Sequence, residues 1–293
     1  MFKIIVPLLG AYLFKKFRIL SAKDSKIFIN YILYFALPFI SFRTSYSIGL
    51  KPEVFKIACV AWIGILTMIG IGYISGKLLK LKSADLRTWL LVVSFGNTAF
   101  LGYPYNFTFF GEEGLNFAIL YDTLGSFIIV ITIGLFIATG KISLKVIFSF
   151  PAFWTLILGF LLRGQELPYF VKDVINFISP SILPVIIFAI GLIFEFHQIY
   201  YNLNKAILAL ILKIFVMSFI TYFIARIIGI SGLPLKVAVL QASMPTMIFS
   251  TVLALKYDLN YHLTISCVSL GIILSLFTTS LIVYLTDFLL KIF

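Results

Sequence analysis

Charge is what this sequence has least of. Only 12% of its 293 residues are charged and 61% are hydrophobic, where a soluble domain carries about 25% charged residues. That ratio excludes a soluble fold, and a mean hydropathy of +1.11 fits an integral membrane protein. Histidine is nearly absent: His197 and His262 are the two in the chain, and neither lies near a cysteine or the other. No metal site is expected from them. Cys59 and Cys267 both fall in apolar runs and read as packing residues. No G-x-x-x-x-G-K-[ST] loop occurs, so neither ATP drive nor another cofactor is expected within this chain. Paired carboxylates, an Asp-rich prenyl-diphosphate motif and a nucleophile elbow are also missing, so an enzyme is not expected.

What is present is basic charge between apolar runs. A net charge of +12 could point to nucleic acid, but the lysines and arginines sit in short loops. Topology in a membrane explains that pattern better than a nucleic-acid partner. Ten candidate spans can be drawn, at about 2–14, 27–46, 54–76, 87–110, 115–139, 147–162, 170–194, 205–229, 234–256 and 262–288. At about 20 residues per span they leave only short loops and no room for an extramembrane domain. The first basic cluster (Lys15, Lys16, Arg18) follows the first apolar run instead of preceding it, so that run reads as a short span and not a signal peptide. Loop 1–2 also holds Lys23 and Lys26, and loop 3–4 holds Lys77, Lys80, Lys82 and Arg87. Putting those loops in the cytoplasm leaves both termini outside.

The two halves, 1–140 and 146–293, resemble each other at an offset of 149. Gly10 then matches Gly159, Lys77 matches Arg226, Gly96 matches Pro245 and Asn97 matches Thr246. With a small gap, Pro38 pairs with Pro184. Five spans per half is an odd number, so the second half enters the membrane inverted.

Each half contains a polar, Gly/Pro-broken stretch inside an apolar span. One is Gly96-Asn97-Thr98-Ala99-Phe100-Leu101-Gly102-Tyr103-Pro104, and the other is Gln241-Ala242-Ser243-Met244-Pro245-Thr246. Backbone that leaves the helix in a bilayer survives only where protein or a wet cavity satisfies it. Matched breaks in two repeats point to a transporter's substrate site. Gly96, Gly102, Pro104 and Pro245 are the expected breaking residues. Asn97, Thr98, Gln241, Ser243 and Thr246 are the expected substrate contacts, beside helix ends whose free N–H groups favour an anion. Gln241, four residues before Pro245, is expected to face the gap that the proline opens.

Asp122 is the one acid well inside a span, where a charge costs about 2.5–3.5 kcal/mol on insertion scales. It reads as a proton or cation carrier, as an anchor for the break at Asn97, or as a helix–helix bond. Lys213 reads as a snorkelling structural lysine or as the partner of Asp122. Gly72 and Gly76 read as a close-packing pair.

These residues resemble the auxin efflux carrier family, which includes bacterial and archaeal permeases and the plant PIN carriers. The first stretch is similar to the family's Pro-Asn-Thr-x-x-x-Gly-x-Pro, with Gly96 in place of the first proline. The second resembles Gln-x-x-x-Pro and Ala-Ser-Met-Pro-Thr, here Gln241 to Thr246. Ala254 to Tyr257, and Asp122 with Gly125, resemble further family segments. The resemblance covers essentially the whole chain. It implies an all-α membrane protein of the bile-acid-symporter and NhaA type, with ten helices in a five-plus-five inverted repeat. Helices 4 and 9 would cross at their breaks, helices 1, 2, 6 and 7 would form a scaffold and homodimer surface, and helices 3–5 and 8–10 a moving transport unit. The substrate would be a small organic anion, auxin-like or dicarboxylic, carried across the cell membrane by an elevator motion. Two alternatives stand beside this reading: a sodium- or proton-coupled symporter of the same fold, and a channel or non-transporting receptor.

Overall fold

The computed structural model describes residues 2–49, 51–141, 150–194, 200 and 202–292. The start of the sixth expected span at 147–149, Lys145 and His197 lie outside the described residues. Among the described residues the chain is helical, with a single isolated β-bridge and no strand.

The helices are α1 (Phe2–Lys16), α2 (Ala22–Ile48), α3 (Pro52–Leu78), α4 (Ser83–Ser94), α5 (Thr98–Thr139) and α6 (Pro151–Leu161). There follow α7 (Tyr169–Ile193), α8 (Leu203–Ile227), α9 (Gly232–Ala242), α10 (Phe249–Lys256) and α11 (Tyr261–Ile292). Six of them, α2, α3, α5, α7, α8 and α11, are long and apolar enough to cross a bilayer. The 42 residues of α5 would reach about 63 Å if straight, twice the hydrocarbon core. Gly111 interrupts it at φ 65, ψ −157, a conformation that residues with a Cβ rarely adopt. Two arms result, 98–110 and 112–139. By contrast α4 and α9, with 12 and 11 residues, are each about half a membrane long.

The helices pack in two groups. In one, α1 lies along α7 and α6 lies along the second half of α2. In the other, α3 packs on α4, α8 and the second arm of α5, while α9 packs on α8, α11 and α5. Gly72 and Gly76 of α3 face Leu90 and Val93, and Leu86 and Trp89, of α4, so the two helices approach closely.

The first group carries two reciprocal caps. Four carbonyls at a helix C-terminus lack intrahelical donors, and a basic side chain there satisfies them. At the end of α1, Lys15 Nζ donates to the carbonyls of Leu192 (3.0 Å) and Phe194 at the end of α7. Just past α6, Arg163 Nη1 donates to the Ile48 carbonyl at the end of α2 (2.5 Å). Each cap belongs to the half of the chain opposite to the helix it closes.

Candidate functional site

Where α4 ends at Ser94, Phe95 is extended (φ −107, ψ 119). Asn97 (φ −82, ψ 60) leads into a π turn, Thr98–Gly102, that opens α5. Where α9 ends at Ala242, residues 243–248 leave the helix before α10 begins. The two interruptions cross each other. Gly96 and Thr246 form the antiparallel bridge. Asn97 N–H donates to the Pro245 carbonyl (2.7 Å) and Met247 N–H to the Phe95 carbonyl (3.0 Å). Non-helical backbone in an apolar interior must find donors and acceptors, and here each strand supplies the other's.

Gly96 has a negative φ, so conformation does not require glycine there. Space does: a Cβ would lie 2.8 Å from Lys213 Nζ and 2.9 Å from the Met244 carbonyl oxygen. Pro245 fits against α11 at Gly271, where a Cβ would lie 2.6 Å from the proline ring.

Gly102 and Pro104, expected as breaking residues, are both helical, which corrects that expectation. Gly102 has ordinary helical angles (φ −62, ψ −42), and Pro104 sits in the first turn of the α-helical part of α5. Because α5 already runs from Thr98, Pro104 forgoes one intrahelical hydrogen bond, and the π turn Thr98–Gly102 lies directly before it. Gly102 serves close approach instead: a Cβ at that position would run into the Gln241 amide.

The second interruption is tied down by its own side chains. The Thr246 hydroxyl donates to the Val92 carbonyl (2.8 Å), one of the orphan acceptors at the end of α4. The Ser243 hydroxyl donates to the Leu240 carbonyl (2.7 Å). Gln241 does not turn to its own proline gap, a second correction: its Nε2 donates to the Ala118 carbonyl in α5 (3.0 Å). Helix α5 fills the space that the sequence assigned to a kink within α9.

At the first interruption, the Asp122 carboxylate accepts from the Thr98 hydroxyl (2.5 Å) and the Tyr103 hydroxyl (2.7 Å). Tyr103 gives no sign of this in the sequence, because nothing local connects it to a residue one arm away. Asn97 is 4% exposed, and its Nδ2 has no partner among the described residues. Lys213 is fully buried and donates to the Ala242 carbonyl (2.5 Å) at the end of α9. An ammonium fits the negative end of that half-helix. Asp122 and Lys213 are therefore not each other's partners, which removes that alternative. Thr98, Asp122 and Lys213 each sit in a π turn, at Thr98–Gly102, Tyr121–Ser126 and Leu212–Val216. Such turns recur at functional positions in helices.

A cavity of about 280 Å³ opens between α1, α2, α7 and α5, lined by Ile40, Arg43, Phe107, Glu112, Ser179 and Leu183 among others. At the edge of the cavity Arg43 Nη2 pairs with Glu112 Oε2 at 2.9 Å, with side chains 32% and 65% exposed. An exposed pair of this kind contributes about 0–1 kcal/mol. Neither residue stood out in the sequence, since both fall at loop edges. Close by, the Thr44 hydroxyl donates to Asn116 Oδ1 (2.9 Å), a second polar tie between the helix groups.

A family sequence profile described as membrane transport protein matches residues 1–146 and 135–283. The chain is 30% identical over 292 residues to an uncharacterized transporter of Methanocaldococcus jannaschii, covering 95% of each chain. It is 29% identical over 286 residues to an uncharacterized transporter of Methanothermobacter thermautotrophicus, covering 93% of each.

Proposed function

Because the chain belongs to the membrane transport protein family that contains the auxin efflux carriers, we propose that it is a secondary carrier for small organic anions, auxin-like or dicarboxylic. The observation that carries this reading is the crossing of the two interruptions at Gly96 and Thr246. A buried crossing brings together two sets of half-helix ends, and N-terminal ends attract negative charge. Asn97 is the substrate-facing donor. Thr98 supports it through Asp122, while Gln241, Ser243 and Thr246, expected as contacts, act mainly as props of the second interruption.

The same reading counts ten crossings in a five-plus-five inverted repeat. The reciprocal caps by Lys15 and Arg163 support it, as does a bridge whose two hydrogen bonds are symmetric about Gly96 and Thr246. The group α1, α2, α6 and α7 is the scaffold and homodimer surface, and the remaining helices move against it as an elevator. The protein lies in the cell membrane with both termini outside.

Asn97→Ala tests the site. The variant is expected to insert normally and to lose uptake of organic acids into proteoliposomes, measured with indole-3-acetate and succinate. Uptake at the wild-type rate would reject the assignment. Coupling to protons or sodium is the second reading, favoured by an Asp122 carboxylate that has hydroxyl partners and, among the described residues, no basic one. Uptake measured with and without sodium, and with and without a pH gradient, separates the two.

A further inference from the structure

The cavity between the two helix groups is not the crossing itself, and its chemistry is unlike that of the crossing. Its walls are the apolar side chains of Ile40, Phe107, Leu115 and Leu183, and among the described residues Arg43 is the one cation lining it. Ser179 lines it from the bend in α7, fully buried, with a hydroxyl that has no partner among the described residues. Thr108, also in the lining, already donates to the Pro104 carbonyl (2.7 Å). Arg43 is held by Glu112, whose carboxylate is about two-thirds exposed, so another carboxylate can take its place at little cost. At about 280 Å³ the volume lies just under the ~300 Å³ at which sites for drug-sized ligands begin.

We propose that this cavity is a binding site for a small monocarboxylate with an apolar body, in which Arg43 receives the carboxylate and Glu112 occupies that position when no ligand is bound. The guanidinium presents a planar pair of N–H donors suited to a carboxylate. Glu112 is the internal competitor, and ligand entry releases it to water. A dicarboxylate is disfavoured, because its second charge would meet no second cation among the lining residues. The proposal rests on the organic-anion reading, and it makes the ion pair that spans the two helix groups sensitive to ligand.

The test uses the purified full chain in detergent and three probes: phenylacetate, its neutral amide phenylacetamide, and succinate. Binding is read by thermal shift and by calorimetric titration. Phenylacetate is expected to bind and raise the melting temperature, with phenylacetamide and succinate at least about tenfold weaker. Arg43→Gln is expected to abolish the difference between acid and amide. Glu112→Gln is expected to bind phenylacetate several-fold more tightly, a gain that a purely structural ion pair would not give. That second variant decides the matter even if Arg43→Gln fails to fold. Equal binding of acid and amide by the wild type, or unchanged or weaker binding by Glu112→Gln, overturns the proposal. Uptake by Asn97→Ala is scored separately. Loss of its transport alongside an unresponsive Glu112→Gln sinks only this inference, whereas intact transport alongside tighter binding sinks only the assignment at the crossing.

Discussion

At the second interruption, every polar side chain is tied to a backbone carbonyl. Gln241 holds Ala118, Ser243 holds Leu240, Thr246 holds Val92, and Lys213 reaches in from α8 to hold Ala242. At the first, Asn97 keeps its amide donor and Ser94 its hydroxyl without partners among the described residues, although both are buried. A polar group left unpaired in an apolar interior costs about 1–3 kcal/mol; the second interruption keeps Gln241 Oε1 in that state, but there the free atom is an acceptor, whereas Asn97 and Ser94 keep donors. Two segments that look alike in sequence thus divide the labour: one fixes the geometry of the crossing, and the other keeps hydrogen-bonding capacity for something that is not protein.

The most severe way to break this comparison is to deny the two segments their approach. Gly96→Val adds a branched side chain where even a Cβ lies under 3.0 Å from Lys213 Nζ and from the Met244 carbonyl oxygen. Overpacking costs about 1–3 kcal/mol, and here the backbone itself is the obstacle. A large fall in melting temperature and loss of monodisperse protein are expected, and a thermal melt of the detergent-solubilised variant checks it.

A paired measurement sharpens the contrast. Thr246→Val removes the donor that caps Val92 and should lower stability by about 0.5–1.5 kcal/mol. Asn97→Ala removes a side-chain donor that has no partner among the described residues and should leave the melting temperature unchanged or higher. If Asn97→Ala melted lower than Thr246→Val, the division of labour would be reversed.

The smallest effect is expected at Lys213→Met. Methionine fills similar volume without burying a charge, and the loss of one carbonyl bond is offset by the relief of desolvation. A melting temperature within a few degrees of the wild type is expected. A drop matching the 3–5 kcal/mol typical of a broken buried ion pair would mean that Lys213 neutralises a carboxylate.

Much of the fold was legible because apolar runs and Gly/Pro punctuation are local signals. The crossing positions at Gly96 and Pro245 were readable for the same reason. The misreadings came from partners far away in sequence. Pro104 inside α5 has the same local signature as a proline that breaks a helix, and the deciding fact is that the π turn before it is already helical. Gln241 was assigned to its own gap because periodicity sees only one helix, while its partner Ala118 lies in another. Tyr103 and Arg43 belong to the same class: each acquires its role from a chain segment that no spacing rule connects to it.

The reciprocal caps have a consequence for biogenesis. A ribosome that has delivered only α1 to α5 to the membrane leaves the Ile48 carbonyl without Arg163 and the Gly96 strand without Thr246. Neither half makes these contacts by itself: the first forms only once Arg163 is in place and the second only once the interruption after α9 is. The second half thus donates to the first at Arg163 and Thr246, and shortening the polypeptide would take hydrogen-bond donors away from carbonyls of helices that are themselves complete.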